Sequence, residues 1–438
     1  MLKIIFKNLW QRRRQNAWLF AELIIVTILT WVIVDPTVVG IYDMNSDLGY
    51  DADRIVRVTV KTYPKVADLY DPAYESAEAQ EEAYNTLLTK ASKLPMVEIS
   101  SYLDQGIDDW STINQGLEIG NEAIDTVVGA IYGVNLARGE KYFTLYGIES
   151  TEGSPSAEEL DSGILGDNDV VITESIDRTF WPDHRGPKNK RFIKGVTPDG
   201  DTIFQNVAAI VKDFKYHAAT RTSAVVLQPQ RYDYRGKKWI DLTLRLADGV
   251  NADDYVRDYR PTISEALHIG NYYVADIITQ HDQIDFIDRS DGISTRRNLH
   301  FFVAALFLIN LIIGVVGCVW LQTGKRVTEL GVLRSYGALK SHIIKMLIGE
   351  SVLMATIAYI IGDLIYLQYA LKEGLSIGHE NNSNYIEPLN IWVNNFAEHF
   401  AIVSAIVYVI IIVCVILGTY FPARHVSQIE PVDALRDE

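Results

Sequence analysis

Two cysteines, Cys318 and Cys414, are all that the 438 residues contain. Both sit inside apolar runs, so neither belongs to a disulfide framework or a thiolate metal site. The phosphate-cradling GxxxxGK[ST] pattern is missing, and GKRV at Gly324 lacks both the upstream glycine and the Ser/Thr. If ATP drives this protein, another chain hydrolyses it. GxSxG and HExxH are missing too, which removes the nucleophile elbow and the zinc-protease helix. His184, His217, His268 and His281 are scattered without metal-ligand spacing, and Asp285, Asp288 and Asp291 lack the spacing of an EF-hand loop. No catalytic residue, cofactor site or metal site is expected.

Positive charge is scarce in one region. The chain carries 56 acidic and 40 basic residues, and residues 41–295 hold 43 of the acidic ones and 25 of the basic ones. So acidic a block repels phosphate backbones, and no nucleic-acid partner is expected.

What is present is apolar length. Runs at about 17–34, 299–321, 343–367 and 400–421 match or approach the roughly 20 residues that cross a bilayer core of about 30 Å. The first is short, with Trp18 and Trp31 near its ends as interfacial anchors. A cleaved signal peptide is the rival reading of that run, because Arg12, Arg13 and Arg14 precede it. No small-residue cleavage site follows, so it is read as a retained anchor. Before it, Leu2, Ile5, Phe6, Leu9 and Trp10 recur at helical spacing, as in an interfacial amphipathic helix.

Lysine and arginine in short flanks set orientation. Lys3, Lys7 and Arg12 to Arg14 precede the first run, Lys325, Arg326, Arg334 and Lys340 lie between the second and third, and Arg424 and Arg436 follow the fourth. Between the third and fourth, Lys372 stands alone against Glu373, Glu380, Glu387 and Glu398. Both termini and residues 322–342 are therefore expected in the cytoplasm, with 41–295 and 371–398 outside.

The acidic block reads as mixed α/β. Strands are expected at 54–60, after 95, and at 169–173, 207–211, 223–229 and 242–248, with helices from Glu75 and over 252–267. The fold class is an α-helical membrane protein with four transmembrane helices and a large mixed α/β extracytoplasmic domain inserted between helices 1 and 2. Its parts are 1–40, with the amphipathic segment and first span; 41–295, the outer domain; and 296–438, with the last three spans and a cytoplasmic segment.

The stretches KRVTELGVLRSYGALKSHIIKMLIGES (325–351), PVDALR (431–436), VVITES (170–175) and VAAIVKDFKYHAA (207–219) together resemble the MacB/FtsX family of ABC transporter permeases. In KRVTELGVLRSYGALKSHIIKMLIGES, residues 325–351, the family stretch is matched by Arg326, Glu329, Gly331, Arg334, Gly337, Ala338 and Glu350. The ending PVDALR, residues 431–436, is similar to the family's Pro–Val–(E/D)–Ala–Leu–Arg. VVITES (170–175) and VAAIVKDFKYHAA (207–219) resemble two strands of the MacB-like periplasmic core domain, although Ala209 stands where the family often has glycine.

The resemblance implies that residues 322–342 form a coupling helix on a dimer of cytoplasmic ATPases. The coupling residues would be Arg326, Glu329, Leu330, Leu333, Arg334, Gly337 and Ala338. Val327, Leu330, Leu333 and Tyr336 recur at helical spacing and suit an apolar groove, and Gly337 suits the helix end. A basic loop that serves topology alone is the plainer alternative. Implied partners are a cytoplasmic ABC ATPase subunit, a second permease copy or paralogue, and a periplasmic adaptor with an outer-membrane channel. The implied location is the inner membrane, multi-pass.

The implied role is efflux, export or mechanotransmission. Control of a cell-wall hydrolase or lipoprotein release are alternatives within the family, and a membrane-anchored enzyme is an alternative outside it. Hydrolase-controlling relatives have a much smaller outer domain. Within the apolar runs, Asn310, Gly314 and Cys318 form a polar and small stripe at four-residue spacing, read as helix packing. Glu22, Glu350 and Asp363 also lie in these runs, where polar groups must face protein or water.

Overall fold

The computed structural model describes residues 13–108, 116–118, 130–137, 139–182, 186–196, 201–216, 218, 224–230, 239–290, 292–324, 327–376 and 392–428. Helix α1 spans Arg13–Asn45. There follow β1 (Ile55–Thr62), α2 (Ala77–Ala91), β2 (Val97–Tyr102), β3 (Gly116–Glu118), β4 (Ala130–Ala137), α3 (Tyr142–Tyr146), α4 (Ala157–Asp161), β5 (Asp169–Thr173) and α5 (Glu174–Phe180). Next come β6 (Arg191–Val196), β7 (Thr202–Val211), β8 (Val225–Gln230), β9 (Trp239–Leu246), α6 (Ala252–Ala266), β10 (Tyr272–Thr279) and α7 (Gln280–Ser290). The chain closes with α8 (Ile293–Gly324), α9 (Val327–Ser335), α10 (Lys340–Glu373) and α11 (Phe396–Gln428).

These elements form two compact units. A helical unit lies within Met1–Tyr42, Thr295–His379 and Asn390–Glu438, and an α/β unit within Asp43–Ser294 and Glu380–Leu389. The α/β unit holds two sheets. One runs β10–β1–β9–β2 with antiparallel pairs throughout, and the other, β3–β4–β8–β5–β7–β6, is mixed.

Alternation along the strands assigns the cores. On β1, Val56, Val58 and Val60 pack with Leu87 of α2 and Ile263 of α6. On β5, Val170 and Ile172 meet α5 through Ile176 and Phe180, while Val171 faces the opposite core with Tyr142, Phe143 and Tyr146 of α3. Arg245 of β9 ties α3 to the first sheet, donating to the Leu145 carbonyl at 2.9 Å and to Asp51 at 2.8 Å.

After β7 the chain turns through Lys212 to Tyr216, and this turn holds Lys215, which is fully buried. Its ammonium donates to the peptide carbonyls of Asp43, in the last turn of α1, and of Ala218. Burial pushes that ammonium below the ordinary lysine range, opposed by the charges of Asp43, Asp47, Asp108 and Asp288. A cation on the carbonyls that end a helix is the favourable sign for its dipole.

In the helical unit, four stretches of the described residues are long and apolar enough to cross a membrane: Ala17–Asn45, Ile293–Gly314, Lys340–Glu373 and Phe396–Gln428. On α1, every fourth residue from Leu19 through Leu23, Thr27, Trp31 and Asp35 to Val39 is buried. That stripe meets Met354, Ala358, Tyr366, Val403 and Val407 of α10 and α11. Two expectations need correcting. The first helix is longer than its apolar run, because α1 continues through Asp35 and Pro36 to Asn45. Trp31 is no interfacial anchor: it is 0% exposed, stacked between Tyr366 (4.6 Å) and Phe400 (4.8 Å). The proposed amphipathic segment 2–10 and the ending 431–436 lie outside the described residues.

Candidate functional site

The candidate coupling segment is α9, a nine-residue helix with a defined end. Gly337 adopts φ +91°. The amide of Ala338 donates to the Leu333 carbonyl (3.1 Å) and that of Gly337 to the Arg334 carbonyl (2.9 Å). These are the two bonds of a Schellman motif, which favours glycine at the left-handed position. Arg326 lies outside the described residues. Glu329 and Arg334 are half-buried and both are engaged by neighbours.

The apolar residues of α9 do not form one stripe. Leu330 is 2% exposed and packs with Ile343 and Leu347 of α10 and Ala423 and Val426 of α11, with Val327 and Ala338 beside it. Leu333 is 36% and Tyr336 87% exposed, and Val332 and Leu339 are exposed as well. A period of 3.6 shows that residues share a side, but not whether that side meets its own chain. Leu330 thus fastens α9 to α10 and α11, and Val332, Leu333, Tyr336 and Leu339 remain available outward.

The stripe on α8 also divides. Asn310 Nδ2 donates to the Leu306 carbonyl of its own helix at 3.0 Å. At Gly314 an added Cβ would sit 2.8 Å from Glu22 Oε1, so the Glu22 carboxylate of α1 reaches over this glycine of α8. The side chain of Cys318 lies outside the described residues.

Between α1 and the α10–α11 pair, polar contacts stand beside the apolar ones. His399 Nε2 lies 2.8 Å from Asp35 Oδ1, and His399 Nδ1 lies 3.0 Å from the Val393 carbonyl. The other oxygen of Asp35 accepts from the Ser376 amide at 2.9 Å. One turn away, Asp363 Oδ1 accepts from Trp31 Nε1 (2.9 Å), the Ser404 hydroxyl (2.9 Å) and the Tyr359 hydroxyl (3.3 Å). Glu350 is buried and engaged.

Residues 301–431 match the family described as FtsX-like permease C-terminal. A macrolide export ATP-binding/permease protein, MacB 1/2 of Paracoccus denitrificans, is 28% identical over 248 residues, covering 53% of this chain and 33% of its own length. MacB of Mannheimia succiniciproducens is 25% identical over 321 residues, covering 68% of this chain and 43% of its own. Residues 301–431 are thus similar to FtsX-like permease C-terminal domains, and longer stretches of the chain are similar to MacB permeases. The chain spans well under half the length of these two relatives. A solved periplasmic region of MacB from Actinobacillus actinomycetemcomitans aligns with 56% of this chain and 97% of its own, at 13% identity and TM-score 0.29.

The arrangement of these residues is suited to packing and docking. Among the described residues no group of three or more His, Cys, Asp or Glu is placed to hold a metal ion. His268 meets the Tyr63 hydroxyl at 3.4 Å and His281 meets Asp53 at 2.7 Å, both at the surface of the α/β unit. His184 and His217 lie outside the described residues. Sequence reasoning misses Asp35 and His399 because each lies one residue outside an apolar run, Asp35 after 17–34 and His399 before 400–421. The signal available was an aspartate directly before a proline, followed by more apolar residues.

Proposed function

We propose that this chain is the permease subunit of an ABC transporter, coupling ATP hydrolysis on a separate ATPase to movement of its α/β unit in efflux, export or mechanotransmission. The observation that carries this reading is α9: an apolar outward face beside Arg334, on a short helix fastened by Leu330 to two membrane helices. An apolar helix face laid into a groove is a common docking mode. The Lys/Arg asymmetry of the short flanks supports an inner-membrane chain with four spans, both termini and α9 in the cytoplasm, and residues 41–295 outside. The implied partners are the ATPase, a second permease copy or paralogue that completes the permease pair, and an adaptor with an outer-membrane channel. The two relatives are named for macrolide export; for this chain the same class of outward movement is proposed.

Leu333→Asp tests the reading. Desolvating an unpaired charge in the proposed groove costs about 3–5 kcal/mol. The variant is expected to reach the membrane in wild-type amounts, yet lose its ATPase in detergent pull-down and leave that ATPase at its unstimulated rate. Association and stimulation equal to wild type would show that α9 is only a topological connector.

A further inference from the structure

Residues Thr27, Trp31 and Asp35 are four apart, so they follow one another along one side of α1. Each meets α10 or α11 differently. At Thr27 the backbones come close: a Cβ on Gly362 would lie 2.8 Å from Thr27 Cβ. At Trp31 the indole is stacked between Tyr366 and Phe400, and its N–H reaches Asp363, the oxygen that Ser404 of α11 also binds. At Asp35 both carboxylate oxygens are used, one by His399 of α11 and one by the amide of Ser376 just past α10.

Apolar side chains slide over one another in lipid at little cost, because tails replace the lost contact. Polar groups in hydrocarbon have no such replacement, so they hold the geometry that satisfies them. The His399 ring is fixed from both ends, since its second nitrogen is held by the Val393 carbonyl. With an acceptor facing each ring nitrogen, each of the two contacts holds a proton, and the ring is tied to α1 on one side and to the Val393 carbonyl on the other. The same α1 runs on unbroken to Asn45, where Lys215 holds the Asp43 carbonyl.

We propose that Trp31, Asp35, Asp363 and His399 form a polar clasp that makes α1 move as one body with α10 and α11, and so are the positioning residues through which displacement of α9 reaches the C-terminal end of α1. This inference rests on the coupling role proposed above. α9 is fastened to α10 and α11 by Leu330. The clasp fastens α1 to the same pair. Without it, α10 and α11 move and α1 does not follow.

The test uses the full chain in nanodiscs, with Cys318 and Cys414 replaced by alanine and spin labels at Ile25 on α1 and Val409 on α11, both exposed positions. Trp31→Phe with Asp35→Asn removes the indole donor and the carboxylate charge of the clasp, and keeps an aromatic ring at 31 and the side-chain size at 35. Leu23→Ala, at a buried position of the same stripe, loosens packing and leaves the clasp intact. The clasp variant is expected to broaden the inter-label distance distribution at least twofold, and Leu23→Ala is expected to leave it narrow while lowering Tm. A clasp variant as narrow as wild type, or equal broadening in Leu23→Ala, would overturn the proposal.

A second arm adds the ATPase with ATP and vanadate and reads a label at Asn45 against one at Tyr336. The wild-type pair should move together. In the clasp variant the ATPase should still bind and turn over while the two labels move apart. Joint movement in the variant also overturns the proposal. If wild type recruits no ATPase, the coupling role falls, and the nucleotide-free comparison still decides whether the clasp holds.

Discussion

Glu140 is buried in the α/β unit with one carboxyl oxygen accepting from the Asp104 amide and the other without a partner among the described residues. Burial, more than any neighbouring charge, pushes its carboxyl up to about 8, against the lowering effect of the Asp104 and Ala137 amides. Between the ordinary carboxylate value and about 8 the folded chain keeps a proton that the unfolded chain has lost. Stability therefore falls as pH rises through that window, by up to an order of 4 kcal/mol. Glu140→Gln carries the uncharged shape at every pH. Its melting temperature is expected to stay flat between pH 5 and 8.5 while wild type declines, as followed by thermal denaturation of the full chain. Equal decline in both would show that Glu140 is not ionised on unfolding in this range. At Gly362 the expectation is steric. Gly362→Val places a branched Cβ against Thr27 and should cost about 1–3 kcal/mol, seen as lower Tm in detergent. Neither site was visible in the sequence. A glycine in a long helix and a glutamate after Gly139 acquire meaning only from residues distant in the chain, as does the Asp35–His399 pair.

At the scale of elements, α9 separates two leucines three positions apart. Leu330→Asp attacks the chain's own packing against Ile343, Leu347, Ala423 and Val426. Leu333→Asp leaves that packing intact and changes only the outward face. The expected pattern is reduced membrane yield and protease sensitivity for Leu330→Asp, and normal yield with lost ATPase association for Leu333→Asp. Quantitative blotting of membranes beside pull-down reads both; loss of yield in both variants would mean that Leu333 also packs inward.

The helix end at Gly337 was legible because the positive-φ requirement is local. The strand DVVIT coincides with β5, and the helix over 252–267 with α6, because alternation and helix-forming runs are local too. The division of the α9 apolar residues was not legible, since it depends on which neighbour covers which side. β10, which the sequence reading does not single out, pairs along its length with β1.

Across the whole molecule, the apolar runs and their charged flanks carried most of the reading. The four stretches of the described residues suited to a membrane fall on the four runs. The sequence could not show that α1 and the α10–α11 pair share buried polar contacts, because helix pairing in lipid follows small and polar residues rather than hydrophobicity. Orientation has its own test. Single cysteines at Glu152 and at Tyr336, in a chain without Cys318 and Cys414, are expected to label from opposite sides of the membrane, Glu152 from outside and Tyr336 from the cytoplasm. Labelling of both from one side would break the topology on which coupling depends.

The central claim, that α9 docks on a separate ATPase, is tested most directly by photocrosslinking in the intact cell. A benzoylphenylalanine at Tyr336, the most exposed apolar position of the segment, should give one major adduct. Mass spectrometry should identify it as a cytoplasmic protein bearing the GxxxxGK[ST] loop that this sequence lacks, and Leu333→Asp should abolish the adduct. An adduct with an extracytoplasmic protein, or a reproducible set of adducts containing no ATPase, would contradict the account.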